Sequence, residues 1–162
     1  MVEPANFNSP GQVVIAGETA AVQRAIEAAK ARGAKRAVLL PVSVPSHTTL
    51  MKAAAARLAE KLRALTVRAP HVRFLSAVDA AEHTQPDEIR ALLVRQLSSP
   101  VRWSQALKAI TATGVAQVIE CGPGKVLSGL NRRIEKREGL EYPALEDIAA
   151  MDAALATTRG AA

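Results

Sequence analysis

Residues 39–62, LLPVSVPSHTTLMKAAAARLAEKL, join a short apolar run to a long alanine-rich segment through two prolines and a histidine. The apolar run belongs to a predicted strand over 35–42, which ends at the prolines because proline has no backbone N–H for strand pairing. The next segment carries apolar residues at helical spacing, and Ser46 is a suitable N-terminal cap for a helix that extends to about Leu65. The stretch therefore predicts a strand, a turn and a helix, with His47 in the first turn of that helix.

The same alternation of patterns continues on both sides of this stretch. Short runs of β-branched residues predict strands, and apolar residues that recur every three or four positions predict amphipathic helices. The predicted strands are 11–17, 73–77 and 115–120, and the predicted helices are 19–32, 86–97, 101–113, 125–136 and one near the C-terminus. Strands that alternate with helices indicate an α/β architecture with mainly parallel strands. Because ligands collect at the carboxyl ends of such strands, His47 and Cys121 both become candidates for a site.

Composition limits the classes of function. The chain has 162 residues, of which 49% are hydrophobic and 22% charged, as is ordinary for a globular protein. No apolar run reaches the roughly 20 residues that a membrane span needs, and no targeting signal is evident, so we expect a cytoplasmic protein without a membrane partner. The net charge of +6 favours acidic partners. An aromatic content of 2% argues against base stacking, so nucleic acid is not an expected partner.

Other kinds of site have weak signals. The single cysteine, Cys121, excludes an internal disulfide, and the three histidines lack the spacing of common metal sites, so we expect no metal. The turn CGPGK lacks the spacing of a phosphate-binding loop, although it opens a predicted helix whose N-terminal amides could bind an anion. Cys121 also precedes a glycine turn and a helix, so a Cys121–His47 pair that accepts an acyl group stays open as an alternative.

Four motifs, in this order along the chain, resemble one known family. They are NFNSPGQVVIAG at 6–17, AKRAVLLPVSVPSH at 34–47, LVRQLSSPVRW at 93–103 and ECGPGKVLSGLNRRI at 120–134. The chain resembles the C-terminal half of the bacterial malonyl-CoA:acyl-carrier-protein transacylases of type II fatty acid synthesis. This resemblance implies an α/β-hydrolase-like body with part of an inserted ferredoxin-like subdomain. Residues 1–42 would form the second half of the subdomain, and residues 43–162 the C-terminal part of the body.

The resemblance also implies an activity and a set of site residues. The family moves malonyl from coenzyme A to the phosphopantetheine thiol of acyl carrier protein through a malonyl-serine intermediate, with no further cofactor. His47 matches the catalytic histidine, which acts as general base, and Gln96 matches the residue whose backbone carbonyl orients that ring. The remaining matches are the acyl-pocket positions Asn6, Asn8, Val44 and Ser46 and the carrier-docking positions Lys35, Arg36, Arg132 and Arg133. Turn-forming asparagines and solvated basic side chains stay open as alternatives for these positions.

The chain departs from the family in one important respect, because it contains no GxSxG motif. The serine nucleophile, the arginine that binds the malonyl carboxylate and the oxyanion-hole groups would then belong to the missing N-terminal half, which becomes an expected partner. We therefore expect this chain to be inactive alone and to expose apolar surface that the other half covers. Two alternatives stay open: a non-catalytic fragment that binds the carrier protein, and a piece of a polyketide synthase acyltransferase.

Overall fold

The computed structural model describes residues 1–159, with side chains through Thr157. Within this range the strands are β1 (Val2–Ser9), β2 (Gln12–Gly17), β3 (Leu75–Ser76) and β4 (Ala81–Glu82). The helices are α1 (Thr19–Ala31), α2 (Lys52–Arg63), α3 (Pro86–Gln96), α4 (Trp103–Thr111), α5 (Val126–Ile134) and α6 (Ile148–Arg159), and a short 3-10 helix, Thr49–Met51, precedes α2. The mixture of helices and strands agrees with the predicted α/β class. No helix in the described part is long and apolar enough to cross a membrane.

The chain divides into two compact units. The first comprises Met1–Asn8 and Gln12–Ala106, and the second comprises Ser9–Gly11 and the chain from Leu107 onward. This division does not follow the boundary at residue 42 that the resemblance implies, and that boundary stays a prediction. The proposed histidine site lies wholly in the first unit.

Helix α1 begins and ends where its sequence pattern predicts. It packs against β2, which pairs with β1, and it turns Ala21 into the interior. Gly33 has a φ of +84°, and its N–H donates to the carbonyl of Lys30 at 3.0 Å while the N–H of Ala34 donates to Ala29 at 3.0 Å. These bonds satisfy carbonyls at the end of the helix, and glycine adopts the required left-handed conformation without a steric penalty.

The predicted strand over 35–42 is wrong. This segment is an irregular loop, with Val38 exposed by 52% and Leu39 by 67%, and neither residue makes a hydrogen bond to another described residue. The local pattern is suitable for a strand, but a strand forms only where a neighbouring strand accepts and donates its backbone hydrogen bonds. Among residues 1–159 no such neighbour lies beside this segment.

The helix after the proline turn starts later than predicted. Ser46 caps no helix: the N-cap position of the 3-10 helix is Thr48, and that of α2 is Met51. The Thr48 hydroxyl donates to the carbonyl of Pro45 at 2.7 Å instead of capping the helix, and Thr48 is only 1% exposed. His47 therefore belongs to the turn before the helix and not to its first turn.

The rest of the first unit supports this turn. Helix α2 packs against α3, with Ala55 of α2 and Ile89 and Leu92 of α3 buried. The predicted strand over 73–77 is shorter than expected, because β3 pairs antiparallel with β4 over only two residues each. Val78, which lies in the turn of this hairpin, is 2% exposed. The first unit therefore has a small core to which α2, α3 and the turn of the hairpin contribute.

In the second unit, isolated parallel bridges between single residues occur where a continuous parallel sheet was expected. The predicted strand over 115–120 forms isolated parallel bridges from Gln117 to Glu141 and from Glu120 to Ala144. The expectation of a mainly parallel sheet is thus wrong for the described residues, whose sheets have two strands each. Arg137 donates to the carbonyls of Thr111 and Val115 at 2.9 and 2.5 Å. Thr111 is the last residue of α4, so the first of these bonds satisfies a carbonyl at the end of the helix.

Candidate active site

His47 occupies a turn whose backbone conformation is unusual. Its φ is +64°, in the left-handed region that residues with a Cβ seldom adopt, at a cost of about 1–3 kcal/mol. The backbone N–H of His47 donates to the carbonyl of Leu97 at 3.0 Å, and its Nδ1 lies 2.8 Å from the carbonyl oxygen of Gln96. Two bonds to successive carbonyls hold both the backbone and the ring in this conformation.

The contact with Gln96 determines the tautomer of the ring. A carbonyl oxygen only accepts hydrogen bonds, so Nδ1 of His47 must carry the proton. In neutral imidazole Nε2 then keeps a free lone pair, and no described residue forms a hydrogen bond with that nitrogen. The side chain is half-buried. The ring is therefore oriented to accept a proton through Nε2.

The partner of the ring is the C-terminal end of α3. The last carbonyls of a helix have no partners within the helix and carry partial negative charge. In this structure the carbonyls of Gln96 and Leu97 receive both bonds from His47. An oriented carbonyl here also complements the positive charge that the imidazole acquires when it takes a proton. The Gln96 carbonyl thus contacts the ring on its Nδ1 side, the side that an aspartate contacts in a Ser-His-Asp triad.

Glu3 contacts the turn around His47, and this contact was not predicted from the sequence. Its carboxylate accepts a bond from the Thr49 N–H at 2.8 Å and another from the Thr49 hydroxyl at 2.5 Å. The side-chain and backbone hydrogen bonds from Thr49 lower the pKa of Glu3. These bonds connect β1 to the start of the helix just after His47. The two partners are 46 positions apart along the chain, which explains why no local pattern could indicate the contact.

The four predicted pocket residues all lie in the first unit. Asn6 and Asn8 are two positions apart in β1, so they lie on one face of that strand, and both are half-buried. Asn6 also forms a parallel bridge with Val101. Ser46 is half-buried and donates through its N–H to Val44 at 2.8 Å, and Val44 is 48% exposed. Their role around an acyl pocket stays a prediction.

The predicted docking residues are exposed, but they differ in their contacts. Lys35 and Arg36 in the first unit have no ion pair or hydrogen bond from their side chains to the described residues. Arg132 in the second unit donates to the carbonyl of Tyr142 at 2.9 Å, whereas the side chain of Arg133 has no such bond. Arg133 is therefore the better position for a test of docking in the second unit, because Arg132 also has a structural contact.

The turn around Cys121 differs from an anion site. Cys121 is exposed and lies in the second unit. The carboxylate of Glu120 accepts bonds from the N–H groups of Leu127 and Ser128 at 3.1 and 2.7 Å. The amides that we considered for an external anion are thus bound to a side chain of the same chain. Burial acts to raise the pKa of Glu120, but these hydrogen bonds outweigh it and lower the pKa below its usual value.

We expect Glu120→Gln to destabilise the protein more at neutral pH than in acid. A carboxylate whose pKa is lowered by folding contributes stability above its unfolded pKa of 4.5, and this stability is lost as pH falls through the folded pKa. Urea unfolding of both proteins at pH 7 and pH 4 measures the difference. Glu138→Gln is the matched control, since Glu138 is exposed and makes no hydrogen bond with the described residues. An equal loss of stability at both pH values would contradict the assignment.

Among residues 1–159, no group of three His, Cys, Asp or Glu side chains is arranged to hold a metal ion. The expectations of no metal and no cofactor stay predictions.

Comparison with known proteins adds to this geometry. The sequence profile of the acyl transferase domain family matches residues 1–145. The chain belongs to this family. Among curated proteins of the family, it is 53% identical over 155 residues to the malonyl CoA-acyl carrier protein transacylase of Escherichia coli K12, covering 96% of the chain and 50% of that protein. It is 42% identical over 159 residues to the Bacillus subtilis enzyme, covering 98% of the chain and 50% of that enzyme.

Solved structures of acyl transferase domains agree with the fold. An acyl-carrier-protein S-malonyltransferase from Burkholderia pseudomallei 1710b matches with a TM-score of 0.91 and 46% identity, over 96% of the chain and 50% of that structure. A malonyl-transacylase in complex with a type II polyketide synthase acyl-carrier protein matches with a TM-score of 0.92 and 49% identity, over 97% of the chain and 50% of that structure. The chain thus spans about half the length of the relatives it matches.

Proposed function

We propose that this chain is the histidine-bearing portion of an acyltransferase that moves malonyl from coenzyme A to acyl carrier protein in fatty acid synthesis. The observation that carries the proposal is the geometry of His47, whose Nδ1 is held by the Gln96 carbonyl while Nε2 is left free to accept a proton. The family membership and the activities for which the relatives are named support the choice of reaction. Placement of the chain in the C-terminal half of the enzyme stays a prediction.

In this proposal His47 transfers one proton in each half-reaction. Its Nε2 takes the hydroxyl proton of a serine as the serine oxygen bonds to the malonyl thioester carbon, and returns it to the coenzyme A sulfur as the carbon–sulfur bond breaks. In the second half-reaction Nε2 takes the proton of the phosphopantetheine thiol as its sulfur attacks the malonyl-serine ester. That proton then goes to the serine oxygen, which leaves. The Gln96 carbonyl accepts the Nδ1–H bond throughout, in both the neutral ring and the imidazolium.

The serine itself belongs to another part of the enzyme in this account. The chain has no GxSxG motif, so we propose that the nucleophile, the carboxylate-binding arginine and the oxyanion hole come from the remaining half, and that this chain alone is inactive. The exposed apolar loop supports a partner of this kind, since Leu39 is 67% and Val42 66% exposed. We further propose an α/β-hydrolase-like body for 43–162, and half of a ferredoxin-like subdomain for 1–42.

The setting of the reaction follows from the same assignment. We propose a cytoplasmic enzyme whose partners are malonyl-CoA and phosphopantetheinylated acyl carrier protein. We also propose that it uses no metal or further cofactor and binds neither nucleic acid nor a membrane. The excess of basic residues, which gives a net charge of +6, supports an acidic protein partner.

A transfer assay with the complete enzyme that contains this chain tests the proposal. Malonyl-CoA, methylmalonyl-CoA or acetyl-CoA is mixed with holo acyl carrier protein, and the mass of the carrier protein is followed. We expect malonyl transfer by the complete enzyme and none by the 162-residue chain. Binding of the carrier protein without transfer by the complete enzyme would favour the non-catalytic alternative. A preference for methylmalonyl-CoA would favour a polyketide synthase acyltransferase.

We expect Arg133→Glu to slow association with acyl carrier protein several-fold at low salt. Charges at the rim of an interface mainly affect the association rate, and their effect is screened as salt rises. Stopped-flow association at low and high ionic strength measures both features. Arg57→Glu is the control, because Arg57 is an exposed arginine on α2 outside the predicted docking set. If the two charge reversals have the same effect, Arg133 is not a docking residue.

A further inference from the structure

A second set of charged side chains lies between the β3–β4 hairpin and α3. This hairpin cluster consists of Asp79, His83, Glu88 and Arg95. His83 Nε2 lies 3.3 Å from an Asp79 oxygen, and His83 Nδ1 lies 3.4 Å from a Glu88 oxygen. Arg95 Nη1 lies 3.9 Å from the other Asp79 oxygen. The cluster therefore connects the hairpin to both ends of α3, because Glu88 is in the first turn of that helix and Arg95 in the last.

Asp79 is held in place by the turn that carries it. Its side chain is only 25% exposed, and it accepts a bond from the Ala81 N–H at 3.3 Å. The next residue, Ala80, has a φ of +59°, and its N–H donates to Ser76 at 2.8 Å. The neighbouring Val78 is buried. A left-handed alanine beside a buried valine indicates a turn that the surrounding packing fixes in one conformation.

The opposite charges in the hairpin cluster attract one another. Burial of His83 acts to lower its pKa, but the hydrogen bonds to Asp79 and Glu88 outweigh burial and raise the pKa. The side chain of His83 is 18% exposed, less than those of the two carboxylates beside it. When His83 is protonated, Asp79 interacts with two cations, one on the hairpin and one on α3. Removal of the Asp79 charge would weaken both of these contacts.

The end of α3 connects this cluster to His47. Arg95 directly precedes Gln96, and its own carbonyl accepts the N–H of Ser98 at 3.1 Å. Gln96 and Leu97 then supply the two carbonyls that hold the ring and the backbone of His47. The side chain of Arg95 is 54% exposed, and Asp79 is the charged group within ion-pair distance of it in the described part of the chain.

We propose that Asp79 is a positioning residue for His47, acting through Arg95 on the last turn of α3. In this proposal the ion pair from Asp79 to Arg95 draws the last turn of α3 toward the hairpin, and the adjacent carbonyls of Gln96 and Leu97 thereby keep their direction toward His47. The significance for catalysis rests on the proposed function of His47. The geometric part, which concerns only the orientation of the His47 ring, does not depend on that function.

Asp79→Asn in the complete enzyme tests the inference. Asparagine keeps the size of the side chain and an oxygen that can accept the Ala81 N–H, but it removes the charge. We expect the ¹⁵N signals of the His47 ring to shift away from the Nδ1–H tautomer, and kcat for malonyl transfer to fall by up to about 100-fold with little change in KM. Glu82→Gln is the matched control, since Glu82 lies in β4 and pairs with Arg73, and its side chain forms no ion pair or hydrogen bond with the described residues of α3. This control should leave the His47 signals and kcat unchanged.

Two variants of Arg95 test the same contact from its other side. Arg95→Gln should reproduce the effect of Asp79→Asn, and Arg95→Lys, which retains the charge, should restore part of it. If Asp79→Asn fails to fold, the Arg95 pair answers the question. Wild-type His47 signals in both Asp79→Asn and Arg95→Gln would overturn the inference. If the wild-type enzyme transfers no malonyl group, the proposed function fails, and the ring signals still report on the positioning role.

Discussion

Replacing His47 with glutamine should lower kcat for malonyl transfer by about 10²- to 10⁴-fold. Glutamine can still donate a hydrogen bond to the Gln96 carbonyl, but it has no basic nitrogen in place of Nε2. The loss should therefore fall on the transfer of the serine proton, with a smaller effect on KM for malonyl-CoA. The complete enzyme is required, and the mass of the carrier protein provides the measurement.

The control for this prediction is His71→Gln. His71 is exposed and makes no hydrogen bond with the described residues, so its replacement should leave kcat within about twofold, consistent with the small effects usual at such positions. Circular dichroism of both variants shows whether the fold is retained. Transfer by the His47→Gln enzyme at the rate of the His71→Gln enzyme would mean that another group acts as the base.

Leu107→Ala should lower the free energy of unfolding by about 2–5 kcal/mol, the largest effect that we expect on stability. Leu107 is 1% exposed and is the largest of the fully buried side chains among the described residues. Its truncation leaves a cavity, because close-packed neighbours relax only in part. Urea denaturation followed by circular dichroism provides the measurement.

Leu93→Ala is the matched control for the cavity. Leu93 also lies in a helix, α3, but it is 37% exposed, so truncation removes less buried surface. We expect it to lose less than half as much stability as Leu107→Ala. An equal loss in the two variants would contradict the assignment to burial, because alanine is a better helix former than leucine and helix propensity cannot account for a loss.

Helices were easier to predict from the sequence than strands, for a physical reason. The periodicity of α1 and α3 reports a local hydrogen-bond pattern, and both helices end within one residue of the predicted positions. Strand β1 was not predicted, because Pro4 and two asparagines make it a poor strand by local preference. It forms because β2 pairs with it. The segment 35–42 shows the opposite case, a favourable local pattern without a neighbouring strand.

Some features of the candidate site could likewise be predicted from the sequence, and others could not. The family resemblance indicated both His47 and the residue whose carbonyl should orient it, and the structure places Nδ1 of His47 2.8 Å from the Gln96 oxygen. Two features had no sequence signal: the left-handed backbone of His47, and the bonds from Thr49 to Glu3. Both depend on contacts between segments that are distant along the chain, and a single sequence carries no record of such contacts.

The most direct test of the central claim is intact-mass spectrometry after brief incubation with malonyl-CoA and no carrier protein. The claim is that this chain supplies the base, His47, while the nucleophile lies in the remaining half of the enzyme. We predict that the complete enzyme gains one malonyl group on a serine, that the His47→Gln enzyme gains it far more slowly, and that the 162-residue chain gains none. A malonyl group on the chain alone, mapped to Cys121, would place the nucleophile in this chain and contradict the account.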